Sequence, residues 1–295
     1  MSSQYFTDYK IFTDATADLN QAMLSGLPSV GIIPMEVEVS GDAYVYGPQG
    51  NLSVSRFYAM QREGKFASTS QINPYVYANA FEKALQSGLD VLYLCFSSGM
   101  SGTISTAKSC MEELRTKYPE RRLICVDTLC AAPGEGLLVR EAAKKQMDGM
   151  GIDELAQWVL EHRLDVCHWF TVDTFEHLKH GGRVSAAAAS VGTILNIKPL
   201  LHVDEAGKLG VVQKPRGNKR AMRLQLEKME AGWTPEISRD VIIGHGDNPA
   251  YAAALSDLVQ ERFPDARIIT TEIGPIIGAH TGPDMLCLIY WGTNR

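Results

Sequence analysis

"YLCFSSGMSGTISTAKSC", Tyr93–Cys110, decides the fold. With the residues just before it, the segment begins "DVLYLCF" (90–96), a nearly continuous apolar run of the kind that forms a strand covered on both faces. It passes through a small-residue loop holding Ser97, Ser98, Ser101 and Thr103, and continues as a helix expected over Ser105–Tyr118. Gly99 and Gly102 fall where tight, exposed backbone is needed. A buried strand feeding a helix is the repeating unit of a parallel sheet with right-handed crossovers. The first amides of a helix have no intrahelical partner and sit at the positive end of its dipole. Neighbouring hydroxyls add neutral donors, so the loop suits an anion. The plainer reading is that Ser101 or Thr103 caps the helix, but the loop holds more hydroxyls than one cap needs.

The first half keeps this rhythm. "YKIFTDAT" reads as a strand entering a loop, "SVGIIPMEVEV" as a second apolar segment, Pro74–Gln86 as a helix closed by Gly88, "RLICVDT" as a strand, and Glu135–Asp148 and Ile152–His162 as helices. The second half changes character. "CHWFTV" is a strand, "DTFEHLKHGG" a short helix stopped by two glycines, and "SAAAASVGTIL" a small-residue helix suited to close packing. "KPLLHVDEAGKLGVVQKP" is a hairpin about "DEAGK", followed by a helix, the strand "DVIIGHGD", a helix, and the strands "ARIITTEIG" and "MLCLIYWG". The expectation is an α/β protein of two domains, residues 1–165 with a mainly parallel sheet and 166–295 with a mixed sheet.

Composition sets outer bounds. The 295 residues are 45% hydrophobic and 21% charged, with a formal net charge of −6 that argues against nucleic acid and anionic membrane surfaces. No apolar run approaches the roughly 18 residues of a spanning helix, and "MSSQYFTDYK" lacks the build of a signal peptide. A cytoplasmic protein without stable membrane insertion is expected. The six cysteines show no CxxC, and the seven histidines no HxxxH or HExxH. Reduced core thiols and no metal site follow.

Four further clusters carry polar chemistry. "ASTSQINP" places Thr69 and Ser70 before a helix, where a cap is the plain alternative. "TEIGPIIGAHTGPDML" puts His280 in a loop between two strand-like runs; a lone histidine is commonly satisfied by a backbone carbonyl. "HGGRVS" sets Arg183 after a glycine turn, where arginine is usually solvated. "TDATADL" offers Asp14, Thr16 and Asp18 as caps, or as a cleft lining at a strand's C-terminal edge; two loop carboxylates are thin grounds for Mg²⁺. The basic run Lys214–Arg220 reads as an exposed helix start, or as a docking patch for an acidic partner.

In this order, "TDAT", "TSQINP", "SSGMSGT", "HGGRVS" and "GAHTGP" resemble the motifs of the DegV family across nearly the whole chain. Two departures stand out: Ala15 replaces the usual serine, and Ile72–Asn73 separate Gln71 from Pro74. The resemblance implies one long-chain fatty acid bound between two α/β domains. Its carboxylate would be held by Thr69, by Ser98 or Ser101, and by His280, with Ser70, Gly102 and Arg183 beside them. It further implies no cofactor, no catalysis, and, as in the FakB type, presentation of the acyl chain to a separate fatty acid kinase. About fifteen methylenes at ~0.8 kcal/mol each contribute on the order of 10 kcal/mol before association costs, against roughly 1.5–3 kcal/mol for a charge-assisted head-group bond. Phe96, Ile194, Leu195, Ile197, Ile276 and Ile277 supply apolar surface near the motifs. The competing readings are a hydrolase using Ser101 and His280, which lacks GxSxG and an orienting acid, and a phosphate-ester enzyme using the SGT loop, which lacks the lysine of GxxxxGK[ST] and convincing metal ligands.

Overall fold

The computed structural model describes residues 8–184 and 196–295. The small-residue stretch 185–195, with Ile194 and Leu195, lies outside the described residues. Burial builds the frame. The strand β1 (Tyr9–Asp14) ends in a single 3-10 turn (Ala15–Ala17) and is followed by α1 (Gln21–Leu24), β2 (Gly31–Ile33), β3 (Met35–Val39), β4 (Asp42–Tyr46), α2 (Val54–Arg62) and β5 (Ala67–Thr69). Then come α3 (Pro74–Gln86), β6 (Asp90–Cys95), α4 (Thr103–Lys117), β7 (Leu123–Asp127), α5 (Ala132–Met147) and α6 (Ile152–His162). β1, β2, β6 and β7 form an all-parallel sheet in the order β2-β1-β6-β7. "SVGIIPMEVEV" is divided at Pro34, so that β2 belongs to this sheet while β3 pairs antiparallel with β4 and β5 in a separate three-stranded sheet. Proline removes a ladder donor, which makes such a change of sheet natural.

The second sheet comprises β8 (Val166–Thr171), β9 (Leu200–Val203), β10 (Leu209–Gln213), β11 (Asp240–His245), β12 (Arg267–Glu272) and β13 (Leu286–Trp291). Its order is β10-β9-β8-β13-β11-β12, mixed, with only β11 and β12 parallel. Its helices are α7 (Glu176–His180), α8 (Asn218–Gly232), α9 (Pro249–Arg262) and α10 (Pro275–Thr281). The α/β class, the parallel first sheet, the mixed second sheet and the β9–β10 hairpin are as the sequence indicates.

α5 joins the two sheets. It packs on β8, β11 and β13 on one side and on the 3-10 turn after β1 on the other. One apolar core correspondingly contains Ile11, Leu92 and Leu94 from the first sheet, Leu138 and Ala142 from α5, and Phe170, Cys287 and Ile289 from the second. An ionic cluster pins the same junction. Asp240, fully buried, receives Arg140 Nε and Lys144 Nζ at 2.8 Å each, and Arg267 as well. Of the six free thiols all are buried except half-buried Cys125.

Candidate functional site

Where the two sheets face each other, they enclose a cavity of about 290 Å³, close to the lower bound of roughly 300–1,000 Å³ for small-molecule sites. Its apolar walls come from both sheets: Phe96 after β6, Phe170 on β8, Val203 on β9, Leu209 on β10, and Cys287 and Ile289 on β13. Ala131 and Ala132, at the start of α5, and Met35, Met100 and Met285 complete them. Polar residues from four separate loops and helix ends reach the same cavity: Thr69, Ser70 and Gln71; Ser101, Gly102 and Thr103; Arg183; and His280. Of the seven residues singled out from sequence, the fold thus brings six to one cavity. The exception is Ser98. It is exposed, outside the lining, and its backbone N–H donates to Asp127 Oδ1. Ile276 and Ile277 line the cavity and Ile197 does not.

His280 is carried by α10, not by a loop. Gly274, Pro275, Gly278 and Gly282 make the segment read as irregular, yet Pro275 opens the helix and tertiary contacts hold it. Gly274 N–H donates to Asp18 Oδ1, Tyr58 OH to the Ile273 carbonyl, and Gln61 Nε2 to the Gly278 carbonyl. Although α10 connects β12 to β13, it packs on β3, β5 and α2. That placement sets His280 Nε2 at 2.8 Å from Thr69 Oγ1. Nδ1 is buried without a partner, which is tolerable for a lone pair and costly for an N–H. The tautomer this assigns has Nε2–H donating to Thr69, whose own hydroxyl proton is then free for a ligand. Burial, with Arg183 and His180 adding to it, holds the His280 imidazole down at about 4, so the ring is neutral at neutral pH. The positive charge at the site is Arg183. Its guanidinium is half-buried, donates to the Gly181 carbonyl, and faces no carboxylate among the described residues.

The serine loop divides its work. Ser97 Oγ donates to the Gly207 carbonyl in the β9–β10 turn and accepts from Gly99 N–H. A Cβ on Gly99 would lie 2.5 Å from the Ala206 carbonyl oxygen, so glycine lets this loop press against the hairpin. Ser101 Oγ donates to Thr103 Oγ1 and accepts from Thr103 N–H. It therefore ties the start of α4 locally, and Gly102 is the residue preceding that helix. Gln71 and the methionines were not singled out from sequence. Gln71 stands two residues from Thr69 and accepts from Thr106 Oγ1; only the fold reveals that its side-chain amide lies over Gly102.

Asp14 and Asp18 are both buried, and no group of three or more potential metal ligands occurs among the described residues. Arginine and lysine in "KPRGNKR" flank the junction of β10 and α8, which begins at Asn218, inside the basic run. No described helix is long and apolar enough to cross a membrane.

Gly181 explains one motif. A Cβ there would sit 2.1 Å from His280 Nδ1, while its φ of −74° suits any residue. Gly181→Ala should leave the fold intact, displace the imidazole from Thr69, and weaken ligand binding on the order of tenfold, the loss of one hydrogen bond of about 1–1.5 kcal/mol; a binding titration beside a denaturation curve checks both.

Comparison with known proteins places this geometry. The model of the DegV family matches residues 8–292. A DegV domain-containing protein of Clostridium perfringens is 37% identical over 287 residues, covering 97% of this chain and 98% of that one. A DegV lipid binding protein of Thermotoga maritima is 28% identical with a TM-score of 0.83, covering 98% of this chain and 100% of that one. A DegV family protein of Thermus thermophilus, whose structure is described by its fatty acid binding, is 27% identical with a TM-score of 0.84, covering 97% of this chain and 100% of that one.

Proposed function

Because the chain belongs to the DegV family, we propose that it binds one long-chain fatty acid, buries the acyl chain between lobes 1–165 and 166–295, and presents the head group to a fatty acid kinase. The carboxylate is held by Thr69 and Ser101, with His280 orienting the Thr69 hydroxyl through its Nε2–H, Ser70 and Gly102 at the rim and Arg183 supplying the charge. Ser98 gives way to Ser101 because only Ser101 lines the cavity. The observation that carries this reading is the convergence of the Thr69–His280 contact and the Arg183 guanidinium, which faces no carboxylate among the described residues, on one end of a largely apolar cavity. Ser70, Gln71 and Gly102 are exposed as well as lining, so the polar end reaches solvent, as delivery to a partner requires. The chain acts as a carrier without turnover and needs no cofactor beyond its bound fatty acid. The hydrolase reading is weakened by His280 itself: its Nδ1 has no acid partner, and its Nε2 bonds Thr69, not Ser101.

Organic extraction of the purified protein followed by mass spectrometry should yield close to one fatty acid per chain. An empty extract together with ester or phosphate-ester turnover overturns the carrier. His280→Ala, which releases the Thr69 hydroxyl from its orienting partner, should lower fatty-acid affinity by roughly 10–100-fold, a loss of about 1.5–3 kcal/mol for the Thr69 bond to the charged head group, with the fold retained. Unchanged affinity in a titration would remove His280 from the head-group site.

A further inference from the structure

The motif "TDATADL" has no place in the head-group site, yet its residues form an acid pair beneath the cavity. Asp14 and Glu135, both fully buried, meet through one hydroxyl. Thr16 Oγ1 lies 2.5 Å from Asp14 Oδ1 and 2.7 Å from Glu135 Oε2. A hydroxyl has a single proton and cannot donate to two carboxylates at once. Two ionised acids would leave one oxygen facing oxygen at hydrogen-bond distance with no proton between them. One carboxyl must therefore carry the missing proton. The neighbours decide which. Asp14 already accepts from Thr16 N–H at 3.0 Å, Tyr93 OH at 2.7 Å and Phe96 N–H at 3.4 Å. Glu135 accepts only from Thr13 Oγ1, at 2.7 Å. Donors favour the charged form, so the charge belongs on Asp14.

We propose that Glu135 is a positioning residue that stays a neutral carboxylic acid, donating its Oε2 proton to Thr16 so that Thr16 in turn donates to an ionised Asp14. The chain of bonds runs from Thr13 through Glu135 and Thr16 to Asp14, and returns through Tyr93 and Tyr77, whose hydroxyls are 3.0 Å apart. It ties together β1, β6, the start of α5 and the N-terminal part of α3. Thr16 lines the cavity, as do Phe96 and the first residues of α5; the proton therefore fixes the cavity floor and turns the Thr16 hydroxyl away from the apolar space. The titratable groups around Glu135 are Asp14 at the end of β1, Asp18 after the 3-10 turn, Cys95 from β6, Cys130 before α5, and His168 of β8, which packs on Gly134; Tyr93 bonds Asp14. No cation bonds either acid among the described residues. Burial raises both carboxyls: Glu135 well above its ordinary range, with the Asp14 charge adding to it, while for Asp14 the bonds from Thr16, Tyr93 and Phe96 work against the rise.

The test counts protons on unfolding. A group whose folded pKa is raised contributes stability that is fully present below its unfolded value and is lost as pH rises through the folded one. Each such proton changes the unfolding equilibrium tenfold per pH unit in that window. Glu135→Gln preserves the bonds, its amide donating to Thr16 and its carbonyl accepting from Thr13. It should fold, and at pH 7 it should release one proton fewer on denaturation than the wild-type chain, with a correspondingly shallower fall of stability towards alkaline pH. A Glu135→Gln count equal to wild type overturns the shared proton. Wild-type protein labelled with carboxyl-¹³C glutamate decides which acid carries it: one side-chain resonance in the protonated range at neutral pH is expected, and none overturns the assignment. Neither measurement depends on fatty acid, so its outcome is separate from that of the carrier reading.

Discussion

Val203→Trp should abolish binding of long acyl chains while the head-group residues remain in place. Val203 is buried on β9 and lines the cavity wall, and an indole directed into about 290 Å³ removes much of the room for a tail. Exclusion of about five methylenes costs about 4 kcal/mol, close to a thousandfold in Kd. Loss of a head-group bond costs less, so the comparison tests whether burial of the hydrocarbon dominates. Titration of acids of graded length should show long chains lost and short ones nearly unaffected, with the denaturation midpoint close to wild type. Unchanged affinity for long acids would place the tail elsewhere.

The largest effect on stability is expected from Asp240→Ala. Asp240 has no exposed surface, and burial alone works against its ionisation. Hydrogen bonds from Lys144 and Arg140 outweigh that and hold its carboxyl down at about 2. Removing it leaves the guanidinium of Arg140, 9% exposed, without its carboxylate. Breaking one partner of a buried pair typically costs 3–5 kcal/mol, roughly. Since Arg140 and Lys144 stand on α5 and Asp240 on β11, the loss falls on the junction of the two sheets. Chemical denaturation should show a midpoint shifted far down, and a shift below about 1 kcal/mol would mean that the cluster is solvated.

What could be read from sequence divides along the range of the forces involved. The strand-to-helix passage through Tyr93–Cys110 was legible because burial of β6 and the helical spacing of α4 are written in consecutive residues. The same holds for Pro74 at the start of α3, which Asn73 caps through the Tyr75 N–H. β3, β4 and β5 were not seen as a sheet of their own, since their pairing joins residues up to 32 positions apart, Val37 opposite Thr69. The α10 helix was missed for a related reason: its glycines are unfavourable locally, and its stability comes from Asp18, Tyr58 and Gln61. Among the hydroxyls, Ser97 and Ser101 look alike in sequence. One docks on the β9–β10 turn and the other lines the cavity, and nothing in the adjacent residues separates them. The protonation of Glu135 was likewise illegible, because it depends on two threonines 122 and 119 positions away.

The excursion of α10 has a consequence for inheritance. The histidine is encoded in the later half of the gene and its threonine in the earlier half, yet the two meet only after the helix crosses back over the seam. The halves therefore cannot be shuffled among relatives as independent modules without mismatching that handshake, and selection on one half's docking surface is at once selection on the other's.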